Sequence, residues 1–390
     1  MTKKYHQYKT AFKSLGYEFR LNVMNDSIEC NKSRVTDIQI ATIESEMFDR
    51  GFTSASGIKR SLKRLSGENQ YHPIIEWFDS LNWDGQDVFG NLMTAIKFKH
   101  PQISKQFFWR FLVGCVGKVK SNGREQNVML VMDGKQGLGK SHLCDWLAPD
   151  AIQDYFVEGG MSPGQKDTKI RIMSNLLWEV GELQGITKKV DLEALKNTIT
   201  EKKITVRPPY GENDIVKPAV CSFIGTVNES GAGFLSDITG NRRFAVVNIQ
   251  AIDWDYTKLD QDQLWAQIVN AYDNGESGVF TPQEKAEQEI INSEYDTLSH
   301  VEQYLFASFY IDIDTYQNEW MPINKILDVL ELAGLSKSNQ RLNQMELAGI
   351  LQKNSCQKSR VNSITGHGRA TCYNGLMEKT VVKQQNPYIP

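Results

Sequence analysis

No stretch of 18 apolar residues occurs anywhere in the chain, which excludes a membrane-spanning helix of the ordinary kind. The first residues, Met-Thr-Lys-Lys-Tyr-His, lack the apolar core of a secretory signal. The six cysteines (Cys30, Cys115, Cys144, Cys221, Cys356, Cys372) are scattered without any C-x-x-C spacing. That pattern argues against a zinc site and for reduced thiols in a cytoplasm. The six histidines form no H-E-x-x-H or other ligand pair. Neither an internal repeat nor a low-complexity segment appears. Charge of one sign is also missing, since the net charge is only −3. With 40% hydrophobic and 23% charged residues the chain is globular, and 390 residues suggest two or three domains.

What is present is concentrated at Gly134–Ser141, Gly-Lys-Gln-Gly-Leu-Gly-Lys-Ser. This run satisfies the phosphate-binding pattern G-x-x-x-x-G-K-S/T at every fixed position. Asn127-Val-Met-Leu-Val-Met-Asp133 before it predicts a buried strand, and Ser141–Ala148 after it predicts a helix closed by Pro149. Strand, glycine loop and helix form the context such a loop needs. Glycines let the backbone wrap so that successive N–H groups face phosphate oxygens. Gly134, Gln136, Gly137, Leu138, Gly139, Lys140, Ser141 and His142 are therefore expected to bind a nucleotide, with Lys140 on the β/γ-phosphates and the Ser141 hydroxyl on Mg²⁺.

A second informative run is Ser174–Glu182, an apolar strand ending in acids beyond the loop. Glu179 is expected to act on the metal through water, and Glu182 to orient or deprotonate the attacking water. Which of the two is the base stays open. Gly225-Thr-Val-Asn228 ends another predicted strand, where an asparagine can position water against a γ-phosphate. Gly240-Asn-Arg-Arg-Phe244 follows, and Arg242 or Arg243 could supply a cation to a neighbouring subunit's site. One motif misleads. Gly160-Met-Ser-Pro-Gly164 matches the serine-hydrolase pattern, but Pro163 has no N–H to serve as an oxyanion donor.

Between these motifs, Lys203–Arg207 and Val216–Ile224 read as strands around a Pro208–Asp214 turn. Lys202, Lys203, Arg207 and Lys217 flank that hairpin, as a grip on a phosphate backbone or as a charged edge guarding a strand pair. Four cations punctuate Ile58–Leu65, which fits a solvated helix face better than a DNA contact. Residues 71–98 read as helix, turn, helix, and 106–119 as an apolar helix packed on the core. Residues 251–298 read as a small acidic helical subdomain without chemistry. Residues 333–390 carry eight Lys/Arg and two acids, a balance of +6 that leaves −9 on the rest. Helices at Ile323–Leu332 and Asn343–Lys353, then a basic hairpin bearing Lys358, Arg360 and Arg369, suggest a DNA-binding winged helix.

In this order the motifs resemble the virulence-associated protein E family, phage- and pathogenicity-island-encoded ATPases related to superfamily 3 helicases of the AAA+ class. The resemblance rests on His72-Pro73, Leu81-Asn-Trp-Asp-Gly85, Trp109 to Gly114, Gly134–Ser141, Lys166-Asp167, Trp178-Glu-Val-Gly-Glu-Leu183, Arg207-Pro-Pro-Tyr-Gly211, Gly225-Thr-Val-Asn228, Asp237–Phe244 and Gln263-Leu-Trp265. The whole resembles the replication-initiator helicases of staphylococcal pathogenicity islands. The resemblance implies an α/β chain with an AAA+ P-loop ATPase core. The expected boundaries are a mainly helical N-terminal domain at 1–105, the core at 106–250, the helical subdomain at 251–298 and the winged helix at 299–390. It implies a hexamer hydrolysing Mg-ATP between subunits in a bacterial host cell. Lys140, Ser141, Glu179, Glu182 and Asn228 would come from one subunit, and Arg242 or Arg243 from the next. A hairpin would grip single-stranded DNA in the channel, and the winged helix would mark the duplex origin. The sequence departs from many relatives in two ways. The residues before 70 are too few for a primase and show no paired-acid motif, so priming is not expected. The Pro208–Asp214 turn also lacks a lysine tip. The same nucleotide residues would serve equally in a non-translocating ATP switch that assembles on or melts an origin.

Overall fold

The residues up to Tyr71 fold around a small core of their own. They comprise α1 (Lys3–Ser14), β1 (Phe19–Asn22), β2 (Ile28–Cys30), β3 (Ser33–Arg34), α2 (Asp37–Asp49), α3 (Ala55–Glu68) and β4 (Gln70–Tyr71). Thr36 and Gln39 close a reciprocal capping box on α2, and Ser54 caps α3. Phe12, Phe19, Met47, Ile58 and Leu62 pack between the helices and a four-stranded sheet of order β3-β2-β1-β4. The expectation of a mainly helical N-terminus misses that sheet, whose strands are two to four residues long. The computed structural model describes residues 3–125, 127–162, 164–181, 183, 189–207, 214–228, 241–295, 300–337, 340–362 and 369–379. They fall into two units, Met1–Asp296 and Thr297–Pro390.

The main core of the first unit begins with α4 (Pro73–Ser80), α5 (Val88–Thr94), β5 (Ile96–Phe98) and α6 (Pro101–Lys120). Proline at the first turn starts both α4 and α6, where its missing N–H costs nothing. α6 buries an almost continuous apolar run from Phe107 to Val119. Its one fully buried cation, Lys118, donates to the Cys221 carbonyl (2.7 Å), and burial pushes its pKa down. Next come β6 (Met129–Asp133), α7 (Lys140–Trp146), β7 (Phe156–Glu158), α8 (Lys166–Ser174), β8 (Leu177–Val180), α9 (Lys189–Ile199), β9 (Lys203–Val206), β10 (Ile215–Pro218), β11 (Ser222–Val227) and β12 (Phe244–Ile252).

Six strands make one sheet of order β5-β12-β6-β11-β8-β7, parallel throughout except at the β5 edge. Every residue of β6, β8 and β11 is buried, as both faces of a parallel sheet must be. The stretch expected as one strand from Val216 to Ile224 is instead two. At Ala219 and Cys221 the backbone donors go to the Lys202 and Ile172 carbonyls, which ends the β9–β10 hairpin and frees β11 to join the large sheet.

α10 (Gln261–Asp273) and α11 (Pro282–Ser293) are not a separate subdomain. Leu264, Trp265, Ile268 and Ile291 lie in the same core as the sheet. Gln263 clamps the Asn82–Gly85 turn, accepting from the Asp84 N–H (2.9 Å) and donating to the Asn82 carbonyl (3.0 Å). Trp265 donates to the Leu147 carbonyl at the end of the α7 turn (2.9 Å).

The second unit holds α12 (His300–Ser308), β13 (Phe309–Ile311), β14 (Met321–Pro322), α13 (Ile323–Leu332), α14 (Gln340–Lys353), β15 (Lys358–Asn362), β16 (Arg369–Tyr373) and β17 (Leu376–Glu378). The three helices pack on Leu305, Ile326, Leu330, Leu347 and Leu351. β15 and β16 form an antiparallel hairpin joined by β14, and β13 pairs with β17. α12 and the β13–β17 pair are additions to the helix, helix, hairpin read from the sequence. Among the described residues no helix is long and apolar enough to cross a membrane. All six cysteines are free thiols and buried.

Candidate functional site

β6 delivers the chain to the glycine loop at the carboxyl edge of the sheet, where open parallel sheets bind ligands. Gly137 (φ 82°) and Gly139 (φ 89°) are left-handed, a backbone that side chains with a Cβ resist. α7 then starts at Lys140. The Lys140 side chain is buried and donates to the Gly134 (2.7 Å) and Lys135 (2.8 Å) carbonyls. Burial lowers its pKa, and the Asp133 carboxylate opposes that fall. Gln136 and Gly137 are exposed at the loop's crest, and Leu138 is half-buried.

β11 lies between β6 and β8, so residues at the carboxyl ends of these three strands face one another. Ser141 Oγ donates to Glu179 Oε1 at 2.6 Å, joining the loop to β8. Thr226 on β11 reaches the same oxygen at 3.5 Å. Glu179, the next-to-last residue of β8, is buried, 1% exposed. Burial pushes its pKa up. The Ser141 hydrogen bond pulls it down, and the neighbouring Glu158 carboxylate pushes it up again. The second oxygen, Oε2, is buried with no hydrogen-bond partner among the described residues. Asn228 directly follows β11, between the loop and Glu179 in strand order. Glu182 lies outside the described residues.

Among the described residues no cluster of three or more His, Cys, Asp or Glu could hold a metal by itself. The Ser141 hydroxyl with the orphaned Glu179 oxygen does fit Mg²⁺, which takes one or two protein oxygens and completes its shell with phosphates and water. The buried carboxylate also makes a prediction. A raised pKa means the folded state binds the proton more tightly than the unfolded chain, so stability falls as pH rises through that window. Without Mg²⁺ or nucleotide, Glu179→Gln should therefore be the more stable protein at neutral pH by about 1–2 kcal/mol. Denaturant titrations across pH should show that advantage shrinking towards pH 4; an advantage independent of pH would refute the assignment.

The two arginines sit elsewhere. Arg242 and Arg243 form a 3-10 turn leading into the amino end of β12. The β12–β6 register pairs Phe244 with Met129 and Asn248 with Asp133, so the arginines occupy the sheet edge opposite the loop. At about 3.3 Å per residue the separation is roughly 20 Å, beyond the reach of an arginine side chain. Arg242 is exposed, while Arg243 is half-buried with its Nε enclosed and without a hydrogen-bond partner among the described residues.

Of the hairpin cations, Lys202, Lys203 and Arg207 are exposed, and Lys203 alternates with buried Ile204 and Val206 along β9. Lys217 is already engaged. Its ammonium donates to the Val23 (2.9 Å) and Met24 (3.2 Å) carbonyls and pairs with Asp26 (2.7 Å). Residues 208–213 lie outside the described residues. In the second unit Lys358 and Arg360 are exposed two residues apart on β15, and Arg369 opens β16 opposite Asn362.

Two groups at the site escaped the sequence reading. Asp133, at the end of β6, accepts from Asn248 (2.5 Å) and Tyr295 (2.7 Å), a buried network beneath the loop. The second is Tyr256, from a segment read as carrying no chemistry, whose Oη meets Nδ1 of His142 (2.6 Å). An aromatic-rich turn after an apolar strand is the only signal that could have marked it.

Residues 78–297, more than half of the chain, match the model of the virulence-associated protein E-like domain. The chain belongs to that family. The matched span takes in the glycine loop, Glu179, Asn228, both arginines and the β9–β10 hairpin, and it excludes Lys358, Arg360 and Arg369. A comparison with curated proteins finds no match. Among solved structures, an A-form apo structure of the NrS-1 C terminal region is similar with a TM-score of 0.54 and 15% identity, over 93% of this chain and 98% of that one. Another apo structure of that region gives a TM-score of 0.53 and 13% identity, over 97% and 100%. At such identity the likeness is one of fold.

Proposed function

We propose that this chain is an ATP-hydrolysing DNA helicase with an AAA+ core, acting as a hexamer to initiate replication of a phage or pathogenicity island in a bacterial cytoplasm. The observation that carries the reading is the 2.6 Å bond from Ser141 to the buried Glu179, which closes the glycine loop onto a metal-competent acid across a parallel sheet. Membership of the virulence-associated protein E-like family supports a role in replication.

In this reading the loop's N–H groups and Lys140 hold the phosphates, with the lysine offsetting charge on the β- and γ-oxygens. Ser141 and Glu179 would hold Mg²⁺, which would offset the negative charge that develops on the phosphates. Asn228 orients water for in-line attack, together with Glu182. The arginine comes from the neighbouring subunit, because the chain's own arginines are at the wrong edge of the sheet. Lys202, Lys203 and Arg207 grip single-stranded DNA, without Lys217, whose ammonium is occupied. The second unit, three helices with a basic hairpin, serves as a winged helix on duplex origin DNA through Lys358, Arg360 and Arg369.

The test is unwinding of forked DNA with Mg-ATP, wild type against Lys140→Ala, with particle mass measured on the same samples. Unwinding by a ring-sized species that the variant cannot match is the expected result. ATP hydrolysis without unwinding, on forks of both polarities, would overturn the helicase and leave the non-translocating switch.

A further inference from the structure

β12 ends at Ile252, and the chain then bends through a 3-10 turn at Trp254–Lys258. The bend is pinned twice: the Asp253 N–H donates to the Ala95 carbonyl (2.8 Å), and the Asp253 carboxylate accepts from the Asp255 N–H (3.0 Å). This lays the Trp254 indole against the last glycine of the phosphate loop. A Cβ on Gly139 would stand 3.0 Å from Cζ2 and 3.2 Å from Cη2 of that ring. His142 meets the indole edge-on, with centroids 4.8 Å apart and planes at 67°. Tyr256 lies behind both rings, buried, bonded to His142 and flanked edge-on by Trp146 at 5.3 Å. Trp254 is thus held on several sides, yet it remains 51% exposed.

Strand order says which end of a nucleotide would meet it. The groups suited to hydrolysis, Glu179 and Asn228, come from β8 and β11 on one side of β6, whereas Trp254 follows β12 on the other side. A nucleotide whose γ-phosphate faced Glu179 would lie along the loop and send its ribose and base towards the β12 side. A large flat π surface, fixed and half open at that place, suits stacking of a base.

We propose that Trp254, seated by His142 and Tyr256, is the stacking platform for the base of the bound nucleotide. The proposal rests on reading the glycine loop as a nucleotide site, and the two can fail separately. Binding of Mg-ATP, Mg-ADP and inorganic tripolyphosphate should be measured by calorimetry for wild type, Trp254→Ala, Trp254→Phe and Lys140→Ala. Trp254→Ala is expected to weaken ATP and ADP by about 10- to 100-fold, the range for one lost base–aromatic stack, and to leave tripolyphosphate unchanged. Trp254→Phe should recover most of the loss. If wild type binds ATP through Lys140 and Trp254→Ala binds it equally well, the platform is wrong and the loop reading stands. Equal losses for ATP and tripolyphosphate would make Trp254 a support for the loop and overturn the stacking role. Loss of assembly with intact nucleotide affinity would assign the ring to a subunit contact and overturn it too. Absence of ATP binding, or binding indifferent to Lys140, would overturn both readings.

Discussion

Replacing Lys140 with alanine should lower ATP hydrolysis by at least about 100-fold, the usual loss when a preorganised group facing transition-state charge is removed. The structure also explains why the loss should not be unfolding. The ammonium is buried against two loop carbonyls, and burial already pushes its pKa down. Taking away a charge that pays a desolvation cost offsets the two hydrogen bonds lost. Thermal melts of the variant should stay within a few degrees of wild type, where about 1 kcal/mol moves a large domain by roughly 2–4 °C. A collapse of the melting temperature would mean that Lys140 is a structural prop for the loop. Unchanged hydrolysis would remove the loop from the chemistry altogether.

How much of this site was legible in the sequence depends on the range of the contacts. The glycine loop was legible because its geometry is local: Gly137 and Gly139 need left-handed backbone wherever they occur, and Lys140 bonds carbonyls five and six residues away. Glu179 was legible as an acid on an apolar strand, though its burial was not, because burial came from β7 and β11 closing on either side. Nothing local betrays that His142 and Tyr256, 114 positions apart, share a hydrogen bond. Nor does the sequence show that Lys217 is spent on carbonyls 193 and 194 positions away. The short N-terminal strands were missed for a related reason. β1 buries only its two ends, and β3 buries nothing, so no alternation exists for a periodicity argument to find. The interrupted β10–β11 run failed because the break lies in tertiary backbone bonds at Ala219 and Cys221, while the residues themselves suit a strand.

Arg242→Ala should cost about 1,000-fold in hydrolysis, the scale of a missing trans arginine, while ATP affinity changes little. Arg242 is the better placed of the pair. α11 fixes the backbone of its turn, with Gln288 donating to the Arg242 carbonyl (3.1 Å) and Asn292 to the Asn241 carbonyl (2.9 Å), while the Arg242 side chain stays exposed. Arg243 is half-buried, with its Nε enclosed. Since neither can cross the sheet to its own loop, the proposed effect would pass between subunits, and mixing would expose it. Lys140→Ala subunits lack a working loop but keep the arginine; Arg242→Ala subunits keep the loop but lack the arginine. Each alone should be inactive. In an equal, random mixture about a quarter of the interfaces place a working loop beside an intact arginine, so hydrolysis should return to about that fraction of wild type. An arginine acting within its own subunit predicts no such recovery, because every mixed subunit still carries one of the two lesions. Recovery in mixed assemblies would therefore establish both a site shared between subunits and the identity of the residue that completes it.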